Sequence, residues 1–188
     1  RSARKKLGAY NSPKVRNIVD ILNKKSINLF AEHLFNEIAF KISGLGTNTE
    51  AIKVVSDYWK SKGMDTEGFY IYDGSGLSRY NSITARQLVF VLNYMSNKSK
   101  NFADFYATLP VAGKSGTLKS IGQNTSANGA VTAKSGSIGR VRAYAGYVNT
   151  KSGRTLAFSM NVANYNCTSP KVRDKLTALM VAMADFDL

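Results

Sequence analysis

The chain has 188 residues, 44% of them hydrophobic and 20% charged, with a net charge of +14. It is long enough for one sizeable core, too short for two large domains, and too apolar for a disordered chain. No apolar run is long enough to span a bilayer, and the opening Arg1-Ser2-Ala3-Arg4-Lys5-Lys6 leads into no apolar signal-peptide core.

Ser12-Pro13 reads as the cap and first residue of a helix, which Val15, Ile18, Val19 and Leu22 continue at helical spacing. A polar break follows from Asn23 to Asn28. Phe30, Leu34, Ile38 and Ile42 then share one face, with Ala31, Phe35 and Ala39 beside them, which predicts an apolar, central helix ending at Ser43-Gly44. Thr47-x-x-Glu50 is a capping box before the stripe Ile52, Val55 and Trp59. Phe69-Tyr70-Ile71-Tyr72 predicts a short strand running into Asp73-Gly74-Ser75-Gly76. Thr84-x-x-Gln87 is a second capping box, before Leu88, Val91, Leu92 and Met95. From Leu109 to Gly139 the chain is rich in Gly, Ser, Thr and Asn. Val141 to Val148 predicts a strand, and Leu156, Phe158, Met160 and Val162 alternate in another, with a turn from Asn149 to Arg154 between them. Ser169-Pro170 opens a closing helix with Val172, Leu176, Leu179, Met180 and Met183 on one face. Helices, then antiparallel strands, then a helix predict an α+β fold in which helices pack on an antiparallel sheet.

The chemistry has few candidates. Cys167 is the one cysteine, so neither an internal disulfide nor a cysteine metal site is possible. No His/Cys/Asp/Glu cluster has metal-ligand spacing. His33, the one histidine, lies in an apolar helical stretch and is expected to be structural. Gly113-Lys114-Ser115 resembles the tail of a phosphate-binding loop, but Thr108 stands where that loop needs its first glycine. Gly74-x-Gly76 lacks the third glycine of a dinucleotide fingerprint.

A different pattern remains. Lys25-Ser26-Ile27-Asn28 sits between two amphipathic helices, and Lys134-Ser135-Gly136-Ser137 sits at the head of a strand pair. Ser-x-Asn and Lys-Thr/Ser-Gly are two of the three signature elements of the active-site serine penicillin-recognising enzymes. Lys-Ser-Gly occurs three times, at 114, 134 and 151. Only the second leads into a strand-turn-strand unit, through Val131-Thr132-Ala133.

The nine residues Asp73-Gly74-Ser75-Gly76-Leu77-Ser78-Arg79-Tyr80-Asn81 resemble a block of the D-Ala-D-Ala carboxypeptidase/endopeptidase family, the class C low-molecular-mass penicillin-binding proteins. Leu109-Pro110-Val111-Ala112-Gly113 through Gly116-Thr117-Leu118, Ala133-Lys134-Ser135-Gly136-Ser137 and Ala145-Gly146-Tyr147-Val148 resemble other segments of it. The resemblance implies a β-lactamase/transpeptidase-like fold and cleavage of the terminal D-Ala-D-Ala bond of peptidoglycan stem peptides, or of a cross-link. It implies no cofactor or metal, inhibition by β-lactams, and a periplasmic or extracytoplasmic location in a bacterium.

The resemblance also implies roles. Ser26 would relay a proton to the leaving D-Ala, Asn28 would hold the substrate amide, and Lys134 would supply charge beside Ser26. Ser135 would bind the terminal carboxylate, and the N–H of Ser137, after Gly136, would donate to the oxyanion. The family's Ser-x-x-Lys, which carries the nucleophile, comes well before Ser-x-Asn, and only 25 residues precede Ser26. The expectation is therefore a chain truncated at its start, whose nucleophile is absent and which has no peptidase activity alone.

Two other readings stay open. Eight of the first 25 residues are Lys or Arg, against one acid, Asp20. Such a field suits a non-enzymatic binder of polyanions, such as an anionic membrane or cell-wall surface. Nucleic acid is not the expected partner, because no recognition module or basic aromatic platform is present. A β-lactamase of the same fold group is the other, and the Asp73 block argues against it.

Overall fold

The computed structural model describes Lys5 and residues 7–187. Five helices come first: α1 (Val15–Lys25), α2 (Asn28–Ser43), α3 (Asn48–Ser61), α4 (Ala85–Lys98) and α5 (Phe102–Thr108). Three strands follow, β1 (Val131–Ile138), β2 (Val141–Asn149) and β3 (Thr155–Ala163), and α6 (Ser169–Ala184) closes the chain. The sheet is antiparallel in the order β1-β2-β3. Among the described residues no helix is long and apolar enough to cross a membrane.

Alternation along the strands gives the sheet two apolar faces. On one, Val131, Ala133, Tyr144, Val148 and Phe158 pack against Val172, Leu176, Met180 and Ala184 of α6. On the other, Tyr147 packs with Leu92 of α4, Leu109 and the aromatic residues of α5. Lys134 is paired with Ala145, two residues from Tyr147, so it belongs to this second face. A smaller core holds Phe35 and Ala39 of α2 against Ala51 of α3, with Ile71 beside them.

Several boundaries differ from the sequence reading. The first helix begins at Val15, because Lys14 is extended (φ −57°, ψ 143°) and its carbonyl accepts the N–H groups of Asn17 and Ile18. The polar break shrinks to Ser26 and Ile27, since the helix runs on through Lys25 with Lys24 paired to Asp20 one turn back. The predicted strand at residues 69–72 is a single bridge between Tyr70 and Ser82. The Asn81 side chain takes the N–H of Tyr72, which ends the ladder. The stripe Phe30, Leu34, Ile38, Ile42 is not the buried one. Phe35 and Ala39 beside it are, while Ile38 and Ile42 are exposed. His33 is exposed and stands outside the core. In α6 the buried face is Val172, Leu176, Met180 and Ala184, with Leu179 outside it.

Of the two predicted capping boxes, one forms in full and the other in half. The Thr47 hydroxyl accepts the Glu50 N–H, and Thr84 and Gln87 make the full reciprocal box. The Gln87 side chain also donates to the carbonyls of Asp65 and Glu67, which ties the approach to α4 onto the loop before it.

Candidate active site

Ser26 ends α1 in the left-handed conformation (φ 54°, ψ 54°). That conformation is uncommon and costly for a residue with a Cβ, and such residues gather at functional sites. It separates α1 from α2 within two residues. α1 is fixed independently near both ends. The Asn23 side chain donates to the Thr108 hydroxyl at 2.8 Å, and Arg16 pairs with Asp104 at 3.2 Å, so α1 is tied to α5. Gly116 (φ +57°) lets the following turn close in, because a Cβ there would sit 2.9 Å from the Lys24 carbonyl oxygen.

These constraints aim Ser26 at the sheet. Lys134 Nζ donates to Ser26 Oγ at 2.7 Å and to the Ser135 carbonyl at 2.7 Å. The two residues are 108 positions apart in sequence and meet at one wall of a cleft of about 400 Å³. Asn28, the first residue of α2, lines the same cleft, together with Asn23, Tyr70 and Ser135. Burial holds the Lys134 ammonium below the usual lysine pKa, because desolvation penalises the charged form.

β1 borders the cleft at Lys134 and Ser135. The Ala133 N–H points away from β2, to the Pro110 carbonyl at 2.9 Å. Strand geometry repeats every second residue, so the N–H groups of Ser135 and Ser137 point to that same outward edge. No described strand pairs with the edge there. The Ser135 hydroxyl donates to Thr117 Oγ1 at 2.7 Å. Thr117 lies in the Gly-Thr-Leu segment quoted above, and nothing in the sequence marked its side chain as part of the site. Gly136 and Ser137 are exposed on the outer half of β1.

From the Asp73 block, Asp73, Gly74, Ser75, Gly76 and Asn81 line the same cleft. The Asp73 carboxylate accepts the N–H groups of Gly76 (2.6 Å) and Ser78 (2.7 Å) and the Asn81 side-chain amide (3.1 Å). The loop is thus locked onto itself. Glu32 of α2 then clamps it, one carboxylate oxygen on the Gly74 N–H (3.1 Å) and the other on the Ser75 N–H (3.0 Å). Gly74 permits this approach, since a Cβ there would lie 2.4 Å from the Ala31 carbonyl oxygen. Glu32, which with Ala31 fits the helix start after the family's Ser-x-Asn, is a positioning residue whose role no motif reveals, because its partners are main-chain groups 42 and 43 residues away.

The other two Lys-Ser-Gly copies have local work. The Ser115 hydroxyl accepts the Val111 N–H at 3.1 Å, and Lys151 pairs with Asp187 at 3.1 Å beside the β2–β3 turn. A literal Ser-x-x-Lys also occurs at Ser2-Ala3-Arg4-Lys5. Ser2 lies outside the described residues.

Residues 1–185 match the model of the D-Ala-D-Ala carboxypeptidase 3 (S13) family. A D-alanyl-D-alanine carboxypeptidase of Actinomadura sp. is 34% identical over 96% of this chain and 34% of its own length. Carboxypeptidase DacB of Mycolicibacterium smegmatis is 31% identical over 90% of the chain and 38% of its own. Penicillin-binding protein 4 of Haemophilus influenzae superposes with a TM-score of 0.81 at 25% identity, covering 90% of this chain and 40% of that one. A class A β-lactamase of Bacteroides cellulosilyticus shares the fold, with a TM-score of 0.61 at 18% identity over 90% of this chain and 63% of that one. The chain spans roughly a third of the length of the curated relatives it matches. The fold is therefore that of the penicillin-binding and β-lactamase group, and the chain belongs to the D-Ala-D-Ala carboxypeptidase 3 (S13) family.

Proposed function

We propose that these residues form one side of a serine acyl-transfer site that cleaves the terminal D-Ala-D-Ala bond of peptidoglycan stem peptides, or a cross-link, and is acylated by penicillins. The observation that carries this is the 2.7 Å contact between Lys134 Nζ and Ser26 Oγ beside Asn28 in one cleft. The nucleophile in this reading is a serine outside these 188 residues, and the chain by itself releases no D-Ala.

Acyl transfer needs a proton for the leaving group and donors for the oxyanion. The external serine's oxygen adds to the carbonyl carbon and its proton passes to the base beside it. As the peptide C–N bond breaks, the departing amine of D-Ala takes the Ser26 hydroxyl proton, Lys134 returns a proton to Ser26, and water then hydrolyses the acyl-serine ester. Burial weakens the hold of Lys134 on its proton, which suits that transfer. Lys134 also draws the terminal carboxylate, and Ser135 donates to it, handing over from Thr117. The outward N–H of Ser137 is one oxyanion donor. Asn28 holds the substrate amide. A serine-reactive site of this kind needs no cofactor, and the place where stem peptides are found is the extracytoplasmic space of a bacterium.

A penicillin adduct mapped by peptide mass tests the reading, on the isolated chain and on its full-length parent. The expected result is one labelled serine in the parent, upstream of Arg1, and none in the isolated chain. An adduct on Ser2 or elsewhere in these 188 residues would overturn the placement of the nucleophile. No adduct on either protein would overturn the activity.

A further inference from the structure

We infer that three tyrosines beside the cleft, Tyr70, Tyr72 and Tyr80, form a second binding surface that takes sugar rings of a glycan strand. The inference rests on the peptidoglycan reading above. Ile71 packs toward Phe35, Ala39 and Ala51, while Tyr70 and Tyr72 on either side of it stay open to solvent. Tyr80 returns beside them. The Tyr70 and Tyr72 rings are 6.4 Å apart with planes tilted 39°, and the Tyr72 and Tyr80 rings 5.6 Å apart tilted 50°. The three residues remain 43%, 44% and 74% exposed.

This row is built rather than incidental. Tyr70 exchanges two backbone hydrogen bonds with Ser82, at 2.8 and 2.7 Å. The Tyr72 N–H donates to Asn81 Oδ1 at 2.7 Å, and the Tyr80 N–H to the Ser78 hydroxyl at 3.1 Å. The backbone is thus held by the same block that lines the cleft, while the rings are left uncovered. A contiguous aromatic patch held open in this way marks an interaction surface. Tyr70 also lines the cleft, so the row continues outward from it.

The ring chemistry selects the occupant. A tyrosine offers an apolar face and a hydroxyl at its rim. A pyranose has the complementary character, with C–H groups on its face and hydroxyls around it. The stepped tilt from ring to ring suits successive sugars of a twisting strand. Peptidoglycan carries such sugars on the same molecule as the stem peptide.

The test uses the full-length protein, with the N-acetylglucosamine trimer as probe. Saturable binding is expected, weakened at least tenfold in the Tyr72→Ala/Tyr80→Ala double variant and less in Tyr72→Phe/Tyr80→Phe, which keeps the stacking faces. Penicillin acylation should be unchanged in both variants, which shows that the fold and cleft are intact. The double alanine variant should also raise KM for a disaccharide-pentapeptide and leave KM for the bare pentapeptide alone. Absent trimer binding, or binding the double variant retains, overturns the inference. An equal KM rise for both substrates overturns the sugar assignment in favour of a peptide subsite. Trimer binding that depends on the tyrosines, in a protein that penicillin fails to acylate, would leave this surface standing while the acyl-transfer reading falls.

Discussion

Replacing Ser26 by alanine and by glycine separates the two things this residue does. Both substitutions remove the hydroxyl that accepts from Lys134 at 2.7 Å. A hydrogen bond to a charged group contributes about 1.5–3 kcal/mol, and the lower end applies here, because Lys134 is only partly buried and keeps the Ser135 carbonyl. The backbone at φ 54°, ψ 54° adds a second effect. A residue with a Cβ is destabilised there by roughly 1–2 kcal/mol, and glycine is not. Ser26→Ala loses the bond and keeps the strain. Ser26→Gly loses the bond and releases the strain. Glycine should therefore be the more stable of the two by about 1 kcal/mol, net of its extra freedom in the unfolded chain. For a chain of this size that is roughly 2–4 °C in Tm. Urea unfolding and thermal melts measure the difference, and penicillin acylation of the full-length protein should fall in both variants. Should Ser26→Ala equal or exceed Ser26→Gly in stability, the left-handed turn is not a source of strain and the reasoning fails.

Four further expectations follow from the loop and the sheet. Gly74→Ala forces a Cβ to 2.4 Å from the Ala31 carbonyl oxygen and 2.8 Å from Phe35 Cβ, so it should cost about 1–3 kcal/mol and slow acylation, read by urea midpoint and penicillin labelling. Glu32→Gln leaves one acceptor for two N–H donors and removes the charge, which should loosen the Asp73 block by about 1 kcal/mol; faster hydrogen exchange at Gly74 and Ser75 would show it, and unchanged exchange would count against the clamp. The Tyr147 phenol, buried and bonded to the Leu92 carbonyl, is pushed up to about 12 from 10, so between those values the unfolded chain loses a proton that the folded chain keeps. Stability should fall as pH rises through that window, and Tyr147→Phe should flatten the slope. Lys134 acts in the opposite sense. Its lowered pKa means that the unfolded chain holds more protons just below pH 10.5, so its contribution to stability rises with pH there, and Lys134→Met should remove that rise in urea midpoints.

The legible parts of the site were those whose chemistry is written locally. Asp73-Gly74-Ser75-Gly76 reads as a turn because its own side chain caps its own N–H groups. Lys134 could be chosen over Lys114 and Lys151 because only it leads into a strand pair, and the register puts it on the face toward Ser26. The sheet and closing helix were visible in alternation and in Ser169-Pro170. Glu32 and Thr117 were not legible as site residues, since a carboxylate that clamps distant main chain and a hydroxyl that turns another have no sequence pattern. The α2 stripe misled because periodicity reports which residues share a face and not which face meets a neighbour. Phe35 and Ala39 won that contact because α3 and Ile71 pack there.

The outward edge of β1 has a consequence for how the protein behaves in company. Unpaired strand edges are templates for another extended chain, welcome when it is a ligand and harmful when it is a second copy. Here the edge is short, starting after the bridge between Val111 and Thr132 and running out at Ile138. Recognition through main-chain groups is indifferent to the side chains of the guest, so an extended ligand paired there would be read by its shape, and pockets beside the edge would supply selectivity. Against self-association the defence is collective. Each copy carries a charge of +14, and like fields keep two edges from meeting. That defence weakens as salt shortens the range of the field.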